Sequence, residues 1–400
     1  MTFAVSPTIG RALDALALLA VLLAAVAMAL GLPPKPLPTD SFLMVDYGLN
    51  TRQAVTIQQL AAAGGSVTWP EHYAYPPAYV VLMLGWLKLG ALAFPAWIAL
   101  GIAALLAIVV VGAKDTGLAR RPGGIAVAAL AVLVVSYAVG WDLKSRNVNL
   151  AYLLAILLAL WLGARRPALA GLLLSLSVAI KLYSVLFLPW LVWKRRWAWL
   201  CWTLAGIGLW FAALPMLVFG PAETILLTKA WWVALGPAGE PAYQAMFPGY
   251  LISLHKTLAG LLSLPPTDAQ VVYATRALQI AWLALIAWML WRWPPDDLSS
   301  GALLVLAPLP LGPVLQPHHA AVMLLPALVL LAIAADDAAS RAKRAASAAV
   351  LLLCFVLTQS GPAGTWRGVS ILLATLILAV SVGALSRAGA VGLLQRVKRL

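Results

Sequence analysis

Negative charge and extended polar sequence are what this chain has least of. Only 13 Asp and Glu stand against 27 Lys and Arg in 400 residues, giving a formal net charge of +14. With 63% of residues hydrophobic and 10% charged, a water-soluble globule is excluded, because such domains hold an apolar share nearer half. The 2 cysteines, Cys201 and Cys354, both lie inside apolar runs, which excludes a disulfide framework or a zinc site. A Gly-rich phosphate loop and a nucleophile elbow are also missing, so the common nucleotide-binding and hydrolase classes have no foothold.

What is present is a succession of apolar runs from Ala12 to Gly383. Many are long enough to carry a helix across a hydrocarbon core of about 30 Å. The expected fold is an all-α polytopic transmembrane bundle of roughly 11 to 13 membrane helices, counting short or partial spans. Residues 1–400 read as a single integral-membrane domain, and membrane lipid is its first partner. The run from Ala12 to Leu32 reads as a retained first span, being longer than a signal-peptide core.

The positive charge falls beside the apolar runs. Arg165-Arg166, Lys194-Arg195-Arg196, Arg341 with Lys343-Arg344, and the tail Arg396-Val397-Lys398-Arg399 follow the positive-inside pattern and are assigned to the cytoplasm. Nucleic acid is not an expected partner, since no binding module accompanies the charge. The basic tail is amphipathic and suits anionic lipid.

With the N-terminus inside, residues 32–77 form a first outer loop and residues 220–268 a second. The first holds Asp40, Asp46, Glu71 and His72, with Gln53 to Ala63 expected as a short interfacial helix. Ala78 to Leu92 and Pro95 to Val111 follow; two full crossings there would return Arg120-Arg121 to the outside, so one is expected to be partial. A span is expected from Gly124 to Gly140, before the polar stretch Asp142 to Asn149.

Pro167 to Trp193 is bounded by basic clusters and has one charge, Lys181, near its middle. As one straight helix it would be about 40 Å long and would put one cluster outside. Two short helices meeting near Lys181 satisfy both constraints. A lysine so placed costs a few kcal/mol on insertion scales and therefore marks function, with a paired or snorkelling lysine as the plain alternative. A second pair of apolar runs meets at Gln316-Pro317-His318-His319.

On physical grounds the outer face would present carboxylates, cations including Lys144, Lys256 and Arg276, and all four histidines, His255 among them. Such a set suits group transfer from a lipid-linked phosphate, and equally a lipid or anion transporter. Metal ligation has little support. Asp142 has no close acidic neighbour, and the rings of adjacent His318 and His319 diverge on a helix or strand.

Val45-Asp46-Tyr47, Gly64-Gly65 and Tyr75-Pro76-Pro77, in that order, resemble glycosyltransferase family 87 of the membrane-embedded GT-C class. Arg146-Asn147-Val148-Asn149 is similar to the family's Gly-Gln-Val-Asn segment, with Arg146-Asn147 replacing Gly-Gln. Ala179-Ile180-Lys181-Leu182-Tyr183-Ser184 is similar to its Ile-Lys-x-x-Pro segment, with Ser184 replacing the proline. The His318-His319 apex before a helix containing Pro326 completes the resemblance, from Leu32 to Leu331.

The resemblance implies an inverting glycosyltransferase of the bacterial inner membrane, using no metal or other cofactor. It would move a sugar, commonly mannose, from a polyprenyl-phosphate donor to a glycolipid or lipid-linked glycan acceptor on the periplasmic face. Asp46 matches the base position, with Asp40 further upstream. Arg146 and Lys181 would bind donor phosphate, with Arg276 a weaker choice. His318 or His319 would contact donor or acceptor near the apex, with a plain interfacial histidine pair as the alternative, and Asn149, Tyr75 and His72 join them as substrate-side residues. Tyr75 with its prolines would also set the angle of the following helix. The rival readings are a transporter or flippase for lipid-linked sugars, against which no inverted repeat is evident, and a non-enzymatic scaffold in envelope assembly.

Overall fold

A computed structural model describes residues 6–30, 45–62, 75–235, 253–292, 296–312, 316–359 and 365–386. Among them the fold is helical throughout and holds no strand. Seven helices are long and apolar enough to cross a membrane, or 8 if one bent pair counts as a span, and shorter apolar helices fill the interior. The protein is an integral membrane protein.

Helix α1 (Pro7–Ala29) is capped by Ser6, whose hydroxyl accepts from Ile9 N–H at 3.3 Å. Helix α2 (Val45–Ala62) starts earlier than the expected Gln53, so Asp46 lies in its first turn and not in an irregular loop. Its buried residues Asn50, Ala54, Ile57 and Ala61 recur at helical spacing, and this stripe extends the helix. An acidic residue near a helix N-terminus is also favoured by the backbone dipole.

The crossing ambiguity after residue 76 resolves at α3 (Pro77–Leu87). At 11 residues it is about 16 Å long and cannot span. It packs on α2, and the long helix α4 (Ala93–Asp115) makes the crossing.

The expected single span from Gly124 is instead a broken pair, α5 (Gly124–Val134) and α6 (Ser136–Ser145), bent by 76°. The bend turns the polar end of α6 into the bundle, where Asp142 and Ser145 are buried. Continuous oil in the sequence concealed this break. Helix α7 (Asn149–Leu162) then leads back toward Arg165.

Helix α8 (Pro167–Ile180) ends one residue before Lys181, whose backbone turns extended. A short 3-10 segment (Leu182–Leu186) and α9 (Phe187–Trp193) return to Lys194. The chain continues through α10 (Trp197–Gly208), a π turn and α11 (Leu214–Phe219), then α12 (Pro221–Leu235). Small residues bring α8 against α10: a Cβ on Gly171 would stand 2.5 Å from Trp202 Cβ, and one on Gly206 2.1 Å from Ser175 Oγ.

Helices α13 (Leu254–Leu262) and α14 (Ala269–Arg292) are tied together by His255, which hydrogen-bonds the Pro266 carbonyl at 2.8 Å and Thr275 Oγ1 at 3.2 Å. A second short pair follows. Helix α15 (Asp297–Leu306) leads to a short apolar 3-10 turn (Leu309–Leu311), the 3-10 segment Pro317–Met323 carries the histidines, and α16 (Leu324–Ala335) runs back. Leu324 to Leu331 are all buried, as expected of a helix that is apolar all round. Helices α17 (Arg341–Gln359) and α18 (Thr365–Leu385) pack against it.

Most of the described basic loops gather at one end. Arg121 pairs with Asp336 and Asp337 at 3.3 Å each, and Arg344 reaches Asp337 at 3.5 Å. Arg196 pairs with Asp297 at 3.0 Å, and Asp115 lies within electrostatic reach of Asp296, Asp297 and Arg165. The basic tail lies outside the described residues.

Candidate functional site

The opposite end of the bundle holds a buried polar cluster. Arg146 terminates α6 in the left-handed conformation at φ 56°, which reverses the chain so that Asn147 and Asn149 face back toward Asp142. Trp97 of α4 donates its indole N–H to the Arg146 carbonyl at 2.8 Å and fixes this turn. The Arg146 guanidinium lies 5.0 Å from the Phe94 ring centre, within cation-π range. Burial lowers the pKa of Arg146, yet a guanidinium keeps its charge in proteins.

Asp142, 1% exposed, is the structural anchor. Its Oδ1 accepts from Asn149 Nδ2 at 2.7 Å and its Oδ2 from Leu150 N–H at 3.3 Å, so the carboxylate caps α7. The same Asn149 nitrogen donates to the His318 carbonyl at 3.2 Å, while Asn147 Nδ2 meets His318 Nε2 at 3.1 Å. The 142–149 turn and the histidine apex are thus in direct contact.

Lys181, 8% exposed at the break after α8, lies close enough for its charge to bear on His319. The two histidine rings are 4.4 Å apart between centroids. The break itself is held by a hydrogen bond between the Ser177 and Ser184 hydroxyls at 2.8 Å, which Ser184 donates because Ser177 gives its one hydrogen to the Leu174 carbonyl at 2.7 Å. Ser184 therefore makes a hydrogen bond at the position where a proline would make none. Trp97, Asp142, Arg146 and Asn147 border a small cleft with Ala29 of α1.

These contacts unite Arg146, Lys181, His318, His319 and Asn149. Tyr75 stacks on Tyr79 with ring centres 4.3 Å apart, and Asn50 Nδ2 donates to the Tyr79 hydroxyl at 3.3 Å, which joins α2 to α3. Helix α2 also touches α6, so the backbone bearing Asp46 runs beside the element bearing Asp142. Asp46 lies one turn before Asn50 in α2; its side chain falls outside the described features. His72, Asp40 and Glu71 lie outside the described residues. Arg276 is exposed on α14, and no described contact ties it to the cluster. Lys144 is half-buried on α6, and Lys256 lies on α13, where burial lowers its pKa. Among the described residues no three of His, Cys, Asp and Glu are placed to hold a metal ion together.

Residues 73–317 match glycosyltransferase family 87. The chain belongs to that family. The transferase's match begins after Asp46 and stops one residue before His318, so both lie outside the matched segment, while Asp142 to Asn149 and Lys181 lie within it. No curated protein and no solved structure matches the chain.

The sequence offers Asp142 only as one of several outer-face carboxylates and gives Asn147 no role of its own. Asn147 was visible as the residue standing where the family segment has glutamine. Asp142 carried a clearer sign, a carboxylate where the oil is interrupted, because a carboxylate there must be hydrogen-bonded or paired.

Proposed function

We propose that this family 87 transferase moves a sugar, mannose by family habit, from a polyprenyl-phosphate donor to a lipid-anchored glycan on the non-cytoplasmic face of the bacterial inner membrane. The observation that carries the reading is the meeting of Arg146 and Lys181 with the Asp142–Asn149–His318 network at the end of the bundle opposite the Arg121, Arg196 and Arg344 ion pairs. One cation at the small cleft, Arg146, and a second beside His319, Lys181, suit a departing phosphate. An apolar groove of about 430 Å³ lies further along the same α1–α4 seam, lined by Leu18, Leu22, Leu106 and Val110, and suits a donor with a long lipid chain.

In this reading Asp46 takes the proton of the acceptor hydroxyl. The acceptor oxygen bonds to the anomeric carbon from the face opposite the phosphate, the carbon–oxygen bond to phosphate breaks, and its electron pair leaves with the polyprenyl phosphate. Arg146 and Lys181 stabilise that leaving group, Arg276 contributes less, and His318, His319 and Tyr75 shape the pocket, with His72 on its outer side. Asn149 supports the pocket, because its amide nitrogen is engaged by Asp142 and the His318 carbonyl.

The test is transfer by the purified protein from polyprenyl-phosphate sugars to glycolipid acceptors. Turnover is expected to survive chelator and to fall by about 100-fold or more in Asp46→Asn. Full activity of that variant would remove Asp46 as the base, and loss of turnover with chelator would overturn the metal-free mechanism.

A further inference from the structure

His318 is held at its ring and at its main chain by the turn between α6 and α7. Asn147 Oδ1 accepts from Val148 N–H at 2.7 Å, which orients the amide. Its NH2 must then face the other way, toward His318 Nε2 at 3.1 Å. The reverse flip would set amide hydrogens against the Val148 N–H. An amide NH2 only donates, so His318 Nε2 must offer its lone pair and the ring hydrogen must sit on Nδ1.

His319 is held in the opposite sense. Its Nδ1 accepts the Gln316 main-chain N–H at 2.9 Å, which leaves Nε2 to carry the hydrogen. The charged groups tied to this pair are Lys181 from the break after α8, whose charge bears on His319, and Asp142 from α6, which reaches the His318 carbonyl through the Asn149 amide.

We infer that Asn147 is a positioning residue that fixes His318 as its Nδ1–H tautomer, so that the adjacent histidines meet the substrate as opposite tautomers. His318 Nε2 is then committed to Asn147 and takes no proton during transfer. Positive charge at the site comes from the fixed cations Arg146 and Lys181. The catalytic consequence rests on the transferase reading above; the tautomer assignment does not.

The protein has 4 histidines, so ¹⁵N-histidine labelling of the full chain in lipid nanodiscs gives a resolvable solid-state spectrum. His318→Gln and His319→Gln assign the signals. At about pH 7, where an unperturbed imidazole is mostly neutral, His318 should show a protonated Nδ1 and a bare Nε2, with His319 reversed. Asn147→Leu should release His318 toward the Nε2–H form and lower kcat about 10-fold. Asn147→Gln, which retains the amide, should restore part of both.

A protonated Nε2 on wild-type His318, or a tautomer unchanged in Asn147→Leu, would overturn the inference. If Asn147→Leu fails to fold, the wild-type spectrum decides alone. The expected spectrum in a protein without transfer activity would uphold the tautomer assignment and overturn the transferase reading.

Discussion

Asp142 is buried in a bilayer-spanning bundle yet accepts hydrogen bonds at both oxygens, and each donor belongs to the turn that positions the histidine apex. Removing it takes the carboxylate acceptor from the Leu150 N–H and leaves the Asn149 amide nitrogen with the His318 carbonyl as its remaining acceptor. Asp142→Ala is therefore expected to cost about 3 kcal/mol, and Asp142→Asn, which keeps one acceptor oxygen, about 1 kcal/mol less. Thermal unfolding in detergent measures both. The phosphate-binding proposal is tested separately by the arginines. Arg146→Gln should lower transfer by about 100-fold. Arg276→Ala, at an exposed position away from the cluster, should lower it by less than about 3-fold. A larger loss at Arg276 would bring α14 into the site.

At the scale of elements, the site depends on two short hairpins whose apices stay deep in the bundle. The seam between α8 and α10 that supports the Lys181 break has no room for side chains at Gly171 and Gly206. Gly206→Leu should therefore destabilise by about 2 kcal/mol or more through overpacking. Gly85→Ala in α3, where no atom lies within 4 Å of an added Cβ, should be neutral or stabilising by about 0.5 kcal/mol. The same thermal scans distinguish the two.

The break at Lys181 was legible in sequence because length and charge left a single straight helix no acceptable place. The bend between α5 and α6 was not, since Val134 and Ser136 sit in sequence without proline or a polar run. The start of α2 was also missed. Its buried stripe mixes Asn50 with Ala54 and Ile57, and its reason is the contact with Tyr79, which lies 29 residues away. The Asn147–His318 pair spans 171 residues and has no local signature.

Across the whole molecule, basic loops at one end and a buried polar cluster at the other define a sided protein. After replacement of Cys201 and Cys354, Ala119→Cys and Ser340→Cys should react with an impermeant thiol reagent from one side of the membrane, and Lys88→Cys from the other. Labelling of Lys88→Cys from the same side as Ser340→Cys would contradict the assignment of α3 as a partial helix. The direct test of the central claim is the rate of sugar transfer from a polyprenyl-phosphate donor by Lys181→Gln, measured beside wild type at matched thermal stability. A loss of about 100-fold or more is expected if the Lys181 ammonium stabilises the departing phosphate; a wild-type rate would contradict the placement of the transfer site in this cluster.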